Sequence, residues 1–267
     1  MRCLGLESKA VYAAVICTTA LSMGQLPVNG DETPWTVLEA REAVCKLLGE
    51  PGYPAEYLND YEHGDGRVLA HFTGRVDDAG RADIMWVDRQ RRMVTYVKLW
   101  SRMDTSFYSV GGESVDHQLL DPQDAEAAAT LIVQRHYPSL LHPTCLHDSD
   151  VDGSPYSFKW RQLSADGVRL PCMVVVEVDP ITRQFCGWRL KQEDVVVDLP
   201  PRLTVERAIA AAGELSMAEA GALTEAYAAV IGRGESQRIV WYVSYQVGDD
   251  GLCVVVDDSS SEAAVLR

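Results

Sequence analysis

The sequence predicts an α+β fold of three repeats, each a capped helix packed on a three-stranded antiparallel meander. Three observations carry this expectation. A helix-start pattern occurs three times, at Thr36, Asp121 and Thr204. Each is followed by a run of alternating apolar and polar residues. An apolar stretch ending in Val-Asp then leads into a polar turn and a last strand, at Asp88, Asp179 and Asp257. A single helix laid on one face of such a meander buries the alternating apolar side chains.

Arg2 and Lys9 come first, then an apolar run from Ala10 to about Met23, then small residues and a proline before the acidic stretch that begins at Asp31. This is the pattern of a secretory signal peptide over residues 1–30, with cleavage after Gly24 or Gly30. It predicts an exported protein, whether secreted, periplasmic or held in the cell envelope. The run falls short of the about 20 apolar residues a spanning helix needs, so membrane attachment follows only if the segment stays uncleaved.

The first unit, 31–104, opens with Thr36 as helix cap and Glu39 three residues on, a capping box. Val37, Ala40, Val44, Leu47 and Leu48 share one face, and Gly49 stops the helix. Val68, Ala70 and Phe72 mark a strand, Asp77 to Gly80 a turn, "IMWVD" and "MVTYVKLW" the next two strands. The basic run Asp88 to Met93 falls on the hairpin tip, either solvated or offered to a partner. The linker "SRMDTSFYSVGGESVDHQ" has flexible composition.

In the second unit, 105–198, Asp121 caps a helix with Pro122 in its first turn and Pro138 beyond its end. Tyr156, Phe158, Trp160 and Gln162 alternate along a strand, Asp166-Gly167 turns the chain, and "VVVEVD" and "QFCGWRL" follow. The third unit, 199–267, opens within the stiffer "VDLPPRL". It has Thr204 as cap, the strand Ile239 to Val247, a turn from Gly248 to Gly251, then "LCVVVD" and "EAAVL".

The chain of 267 residues carries a formal net charge of −15. Loss of the leader removes two basic residues and one acidic one, leaving the remainder still more acidic. This excludes nucleic acid as a partner, since phosphate binding needs clustered Lys and Arg. Of the seven cysteines, Cys3 and Cys17 leave with the leader. The remaining five, Cys45, Cys145, Cys172, Cys186 and Cys253, are scattered and read as small buried apolar residues.

"HDSDVDGSPY" places Asp148, Asp150 and Asp152 at the spacing that opens a calcium loop. An EF-hand is excluded, because the eighth residue from Asp148 is Pro155 and the twelfth is Lys159 where a bidentate Glu belongs. Two readings stay open: a solvated helix-to-strand loop with aspartates capping the backbone, or a calcium site of another kind. Calcium is the one cofactor the sequence offers. His142, Cys145 and His147 could hold a transition metal or form a nucleophile-base pair, but a second ligand cluster is missing and a surface loop with Cys145 turned inward accounts for them. No nucleophile elbow, zinc-protease helix or phosphate loop occurs, which predicts a protein that is not an enzyme. Trp86, Tyr96, Trp100, Phe158, Trp160, Trp188, Trp241 and Tyr245 lie mostly at alternating strand positions and read as core.

The helix "ERAIAAA" behind Thr204, the strand "IVWYVSY" and above all "VEVDPITRQFCGW" resemble the PepSY domain family, known from propeptides of thermolysin-type metalloproteases and from exported bacterial proteins. The family hairpin reads Val-Asp, two residues, Thr-Gly, then an apolar strand. Asp179 and Thr182 match, while Arg183 stands where glycine is expected. "VDRQRRMV" and "VDDSSSEAAV" also lack the Thr-Gly. The resemblance implies a non-catalytic protein-binding module that restrains or assists a secreted peptidase. Sheet addition would be the means, with Gln184 to Leu190 as the edge and Gln184, Phe185, Gly187 and Trp188 as contact residues. Two alternatives remain: an envelope scaffold or small-ligand or calcium-binding protein without a peptidase, and an enzyme centred on His142, Cys145 and His147.

Overall fold

Capping chemistry sets where each helix begins. The computed structural model describes residues 33–62, 67–104, 119–141, 145–151, 155–215, 221–247 and 250–266; the expected leader, Asp152 and His142 lie outside them. Helix α1 spans Val37–Leu48. Thr36 Oγ1 accepts from the Glu39 amide at 3.2 Å and Glu39 Oε2 from the Thr36 amide at 2.7 Å, which satisfies two N–H groups that a helix start leaves orphaned. Gly49 ends it at φ 68°, where a β-carbon would be strained. Helix α2, Pro122–His136, is capped by Asp121, whose Oδ1 accepts from the Gln123 amide at 2.8 Å. Helix α3, Val205–Gly213, is capped by Thr204 through the Arg207 amide at 3.4 Å.

The strands are β1 Glu56–Glu62, β2 Val68–Val76, β3 Ala82–Asp88, β4 Met93–Lys98, β5 Cys145–Asp150, β6 Tyr156–Leu163, β7 Arg169–Val178, β8 Phe185–Lys191, β9 Ala222–Ile231, β10 Arg238–Val247, β11 Asp250–Asp257 and β12 Ala263–Val265. All twelve belong to one sheet, which corrects the expected three helix-on-meander repeats. Among the described residues four strands follow each helix, not three, and the hydrogen bonding does not stop at the expected boundaries. β4 pairs antiparallel with β8 through Tyr96↔Arg189, Val97↔Trp188 and Lys98↔Gly187. β7 runs past its last pair with β8, Met173↔Lys191, to Arg169, which makes a parallel bridge to Ala229 of β9. The sheet is therefore mixed. The path runs β1-β2-β3-β4-β8-β7-β9-β10-β11-β12, and β6 and β5 branch from β7.

Two apolar cores lie under the helices. The larger joins α1 and α2 to β2–β8 and contains Val44, Phe72, Met85, Val97, Phe158 and Trp188. The smaller packs α3 on β9–β11 around Trp241, Val243 and Val254, and it takes in Val168, the residue before β7. The helices press small side chains onto the sheet, Ala125 and Ala129 from α2, Ala208 and Ala212 from α3. That lets their axes approach closely.

Asp83 is fully buried beneath this layer and is held by three hydrogen bonds. The Tyr53 hydroxyl donates to Asp83, whose carboxylate also accepts from the Ser101 amide at 2.9 Å and hydroxyl at 2.6 Å. This knot fixes the chain after α1 to β3 and to the end of β4. Gly74 makes room for it: a β-carbon there would lie 2.2 Å from the Tyr53 oxygen.

The hairpin turns β3–β4, β7–β8 and β11–β12 share one construction. An aspartate at the strand end caps the turn: Asp88 accepts from the Arg91 amide at 2.9 Å, Asp179 from Ile181 and Thr182 at 2.9 and 2.8 Å, Asp257 from Ser259 and Ser260 at 2.9 and 3.1 Å. The residue that closes the turn is left-handed each time, Arg92 at φ 53°, Arg183 at φ 60° and Ser261 at φ 62°. So at Arg183, where the resemblance led us to expect glycine, the backbone does adopt the conformation that favours glycine.

Candidate functional site

Among the described residues the helices pack on one face of the sheet and leave the other bare. Strand alternation sends Phe72, Met85, Val97 and Trp188 to the helices and His71, Trp86, Tyr96, Arg189 and Lys159 to the other side. These latter residues succeed one another across the strands: His71↔Trp86, Trp86↔Tyr96, Tyr96↔Arg189, then Val175 and Lys159. Trp86 stacks on Tyr61 of β1 at 5.8 Å and 15° and lies 5.0 Å from Tyr96. Next to this row the Glu177 carboxylate joins Lys98 Nζ at 2.7 Å and Arg189 Nη2 at 3.0 Å. It crosses Gly187, where a β-carbon would meet Glu177 Oε2 at 2.3 Å.

The row ends at β1, the first strand of the path, paired on one side with β2 alone. All seven of its residues are exposed, among them Tyr57, Leu58 and Tyr61. Leu58 sits at a register shift between Tyr57↔Phe72 and Asn59↔His71. The bulge and the carboxylates of Glu56, Asp60 and Glu62 are devices that keep an open edge from pairing with its own kind. Asp60 is held by Arg89 Nη2 at 2.9 Å, and Glu56 and Glu62 are exposed at the two ends of the strand.

The edge read from the sequence lies elsewhere and is corrected. Gln184 belongs to the turn, and Phe185, Gly187 and Trp188 lie in β8, which is hydrogen-bonded to β4 on one side and β7 on the other. Trp188 is 1% exposed, and its Nε1 donates to the Val94 carbonyl at 2.9 Å. Sheet addition needs unpaired backbone, and this stretch of β8 has already spent it on neighbours.

Part of the acidic stretch is a strand where the sequence suggested a loop, and Asp152, the third aspartate of the calcium candidate, lies outside the described residues. Asp148 and Asp150 stand in β5, an extended strand opposite Lys159 and Ser157 of β6, and Lys159 Nζ lies 3.2 Å from Asp148. Among the described residues no group of three or more potential metal ligands converges. On the other face of β5, the His147 ring packs 4.9 Å from Trp160 and its Nδ1 lies 3.5 Å from Glu126 of α2. Cys145 Sγ is 3.6 Å from the Ser139 carbonyl. His147 joins β5 to α2, and Cys145 joins it to the turn Pro138–Leu141 that follows α2. Cys172 and Cys186 are thiols rather than thiolates: burial pushes them up to about 11 and about 12. The basic hairpin tip is engaged as well, with Arg91 donating to the Gln192 carbonyl at 2.6 Å and Arg92 over the Trp35 ring at 5.7 Å. Of the aromatic set, Phe158, Trp160, Trp188, Trp241 and Tyr245 are buried as expected, whereas Trp86 and Tyr96 lie on the bare face.

No family model matches the chain, and no curated protein matches it in sequence. Among solved structures, the Bacillus megaterium YpeB C-terminal domain superposes on 88% of this chain and 100% of its own, with a TM-score of 0.53 and 14% identity. At that identity the likeness is one of fold. It shows that this arrangement of helices and sheet occurs in another protein.

Proposed function

We propose that this protein is a non-catalytic binding module that takes up an extended segment of a protein partner along β1. The single observation that carries the reading is an exposed seven-residue strand whose outer edge has no neighbour among the described residues. An incoming strand would gain backbone hydrogen bonds from β1, while Tyr57 and Tyr61 supply apolar area and Glu56 and Glu62 select basic side chains. The PepSY resemblance supports a secreted peptidase as partner, restrained or assisted by the contact, and export of the protein to meet it.

The test uses residues 31–267, which form one compact unit, as bait in the exported fraction of the source cells. Retention of a peptidase whose activity changes on adding bait is the expected result, with retention lost for a folded E56K/E62K variant. Equal retention by that variant would remove β1 from the reading. Retention of partners without peptidase activity would remove the peptidase.

A further inference from the structure

Where β7 passes β9, the bare face contains a recess of about 380 Å³. It is lined by Arg161 of β6, Arg169 and Met173 of β7, Lys191 of β8, Tyr227 of β9 and Tyr242 of β10. Tyr227 and Tyr242 stack at 5.2 Å and 22°, forming one wall. The Arg169 guanidinium lies 3.3 Å from the Tyr227 ring centre and pairs with Glu225 at the rim. Lys191 Nζ stands 3.6 Å from Glu193 Oε1.

Arg161 differs from these neighbours. It is half-buried, and the polar contact of its guanidinium is Met173 Sδ at 3.3 Å, with no carboxylate in salt-bridge reach among the described residues. Burial first and the Arg169 charge second draw its pKa down. A half-desolvated guanidinium facing a like charge is costly, and the usual remedy is an anion shared between the two. In a chain of net charge −15, Arg161 is thus a recess cation with no carboxylate of its own among the described residues, beside Arg169 and Lys191, which have theirs. Two guanidiniums also present planar forks that match the oxygens of a phosphate or carboxylate.

We infer that this recess is a binding site for a small multivalent oxyanion, phosphoryl or carboxylate, held between Arg161 and Arg169 against the tyrosine wall. The inference is independent of the β1 edge, which lies at the far end of the sheet path. Thermal unfolding of residues 31–267 is followed in sodium chloride, inorganic phosphate and malonate at matched ionic strength, for the wild type and for R161M and R161Q. The expected result is a saturable rise of about 2–4 °C in one or both oxyanions over chloride for the wild type. Neither variant should respond, and R161M in chloride should be at least as stable as the wild type. Response to phosphate alone assigns a phosphoryl ligand, to malonate alone a carboxylate, and to both a general oxyanion site. No difference between oxyanion and chloride, or an equal rise in the folded variants, would overturn the inference. R161Q covers the case in which R161M does not fold.

Discussion

Arg183 carries a backbone conformation that its β-carbon opposes, φ 60°, at an exposed turn position. The left-handed region costs a non-glycine residue roughly 1–2 kcal/mol, partly offset by the greater freedom glycine has when unfolded. R183G is therefore expected to raise stability by about 1 kcal/mol, read as a higher urea midpoint at unchanged slope; a lower midpoint would mean that the arginine side chain stabilises the turn. The buried thiols make a second residue-scale prediction. Cys186 is pushed from 9.0 up to about 12 and Cys172 to about 11, in both cases mainly by burial, and burial also raises the Tyr53 and Tyr137 hydroxyls. Above pH 9 the unfolded chain releases the thiol protons while the folded chain keeps them. The unfolded state then binds fewer protons, so stability that is full below pH 9 falls as pH rises toward 12. Equilibrium unfolding across that window checks this, and C186A should flatten the slope.

At the scale of elements, much of the framework is legible in the sequence. The three helix caps, the alternation of β6 and β10 and the Val-Asp strand ends follow from local chemistry, and local chemistry is what a sequence displays. The strands that escaped are those whose composition argues for something else. β9, with "ALTEAYAAVI", is rich in alanine, a residue depleted in strands, and it is a strand because β10 pairs along nearly all of it. β5, with "CLHDSD", reads as an acidic helix-to-strand loop, yet the facing β6 draws it into the ladder. β1, with "EYLNDYE", shows no apolar alternation because neither of its faces is buried. The two proposed binding features inherit this blindness. An edge is defined by a missing neighbour, and the recess joins Arg161 to Tyr227 and Tyr242, 66 and 81 positions further along the chain. No spacing rule connects such residues.

At the scale of the whole molecule, two cores of unequal size share one sheet. The smaller, under α3, is tied to the rest by the β7–β9 bridge, by Val168, and by Gln237, which donates to the Asp194 carbonyl at 2.6 Å and accepts from the Val196 amide at 2.9 Å. With less apolar area behind them, the amides of β10 and β11 should exchange with solvent as a group before those of β3, β7 and β8. Native-state hydrogen exchange measures this directly, and one common exchange energy for all these strands would refute it.

The seam between β4 and β8 has its own geometry. Val97 stands five positions after the left-handed Arg92, and Trp188 five after the left-handed Arg183. They face each other, while Tyr96 meets Arg189 and Lys98 meets Gly187 symmetrically on either side. Corresponding strands paired antiparallel about their own midpoint are what a two-fold homodimer builds from two polypeptides. Here both halves belong to one chain, so the union is insensitive to protein concentration: dilution that would part a dimer leaves this contact intact.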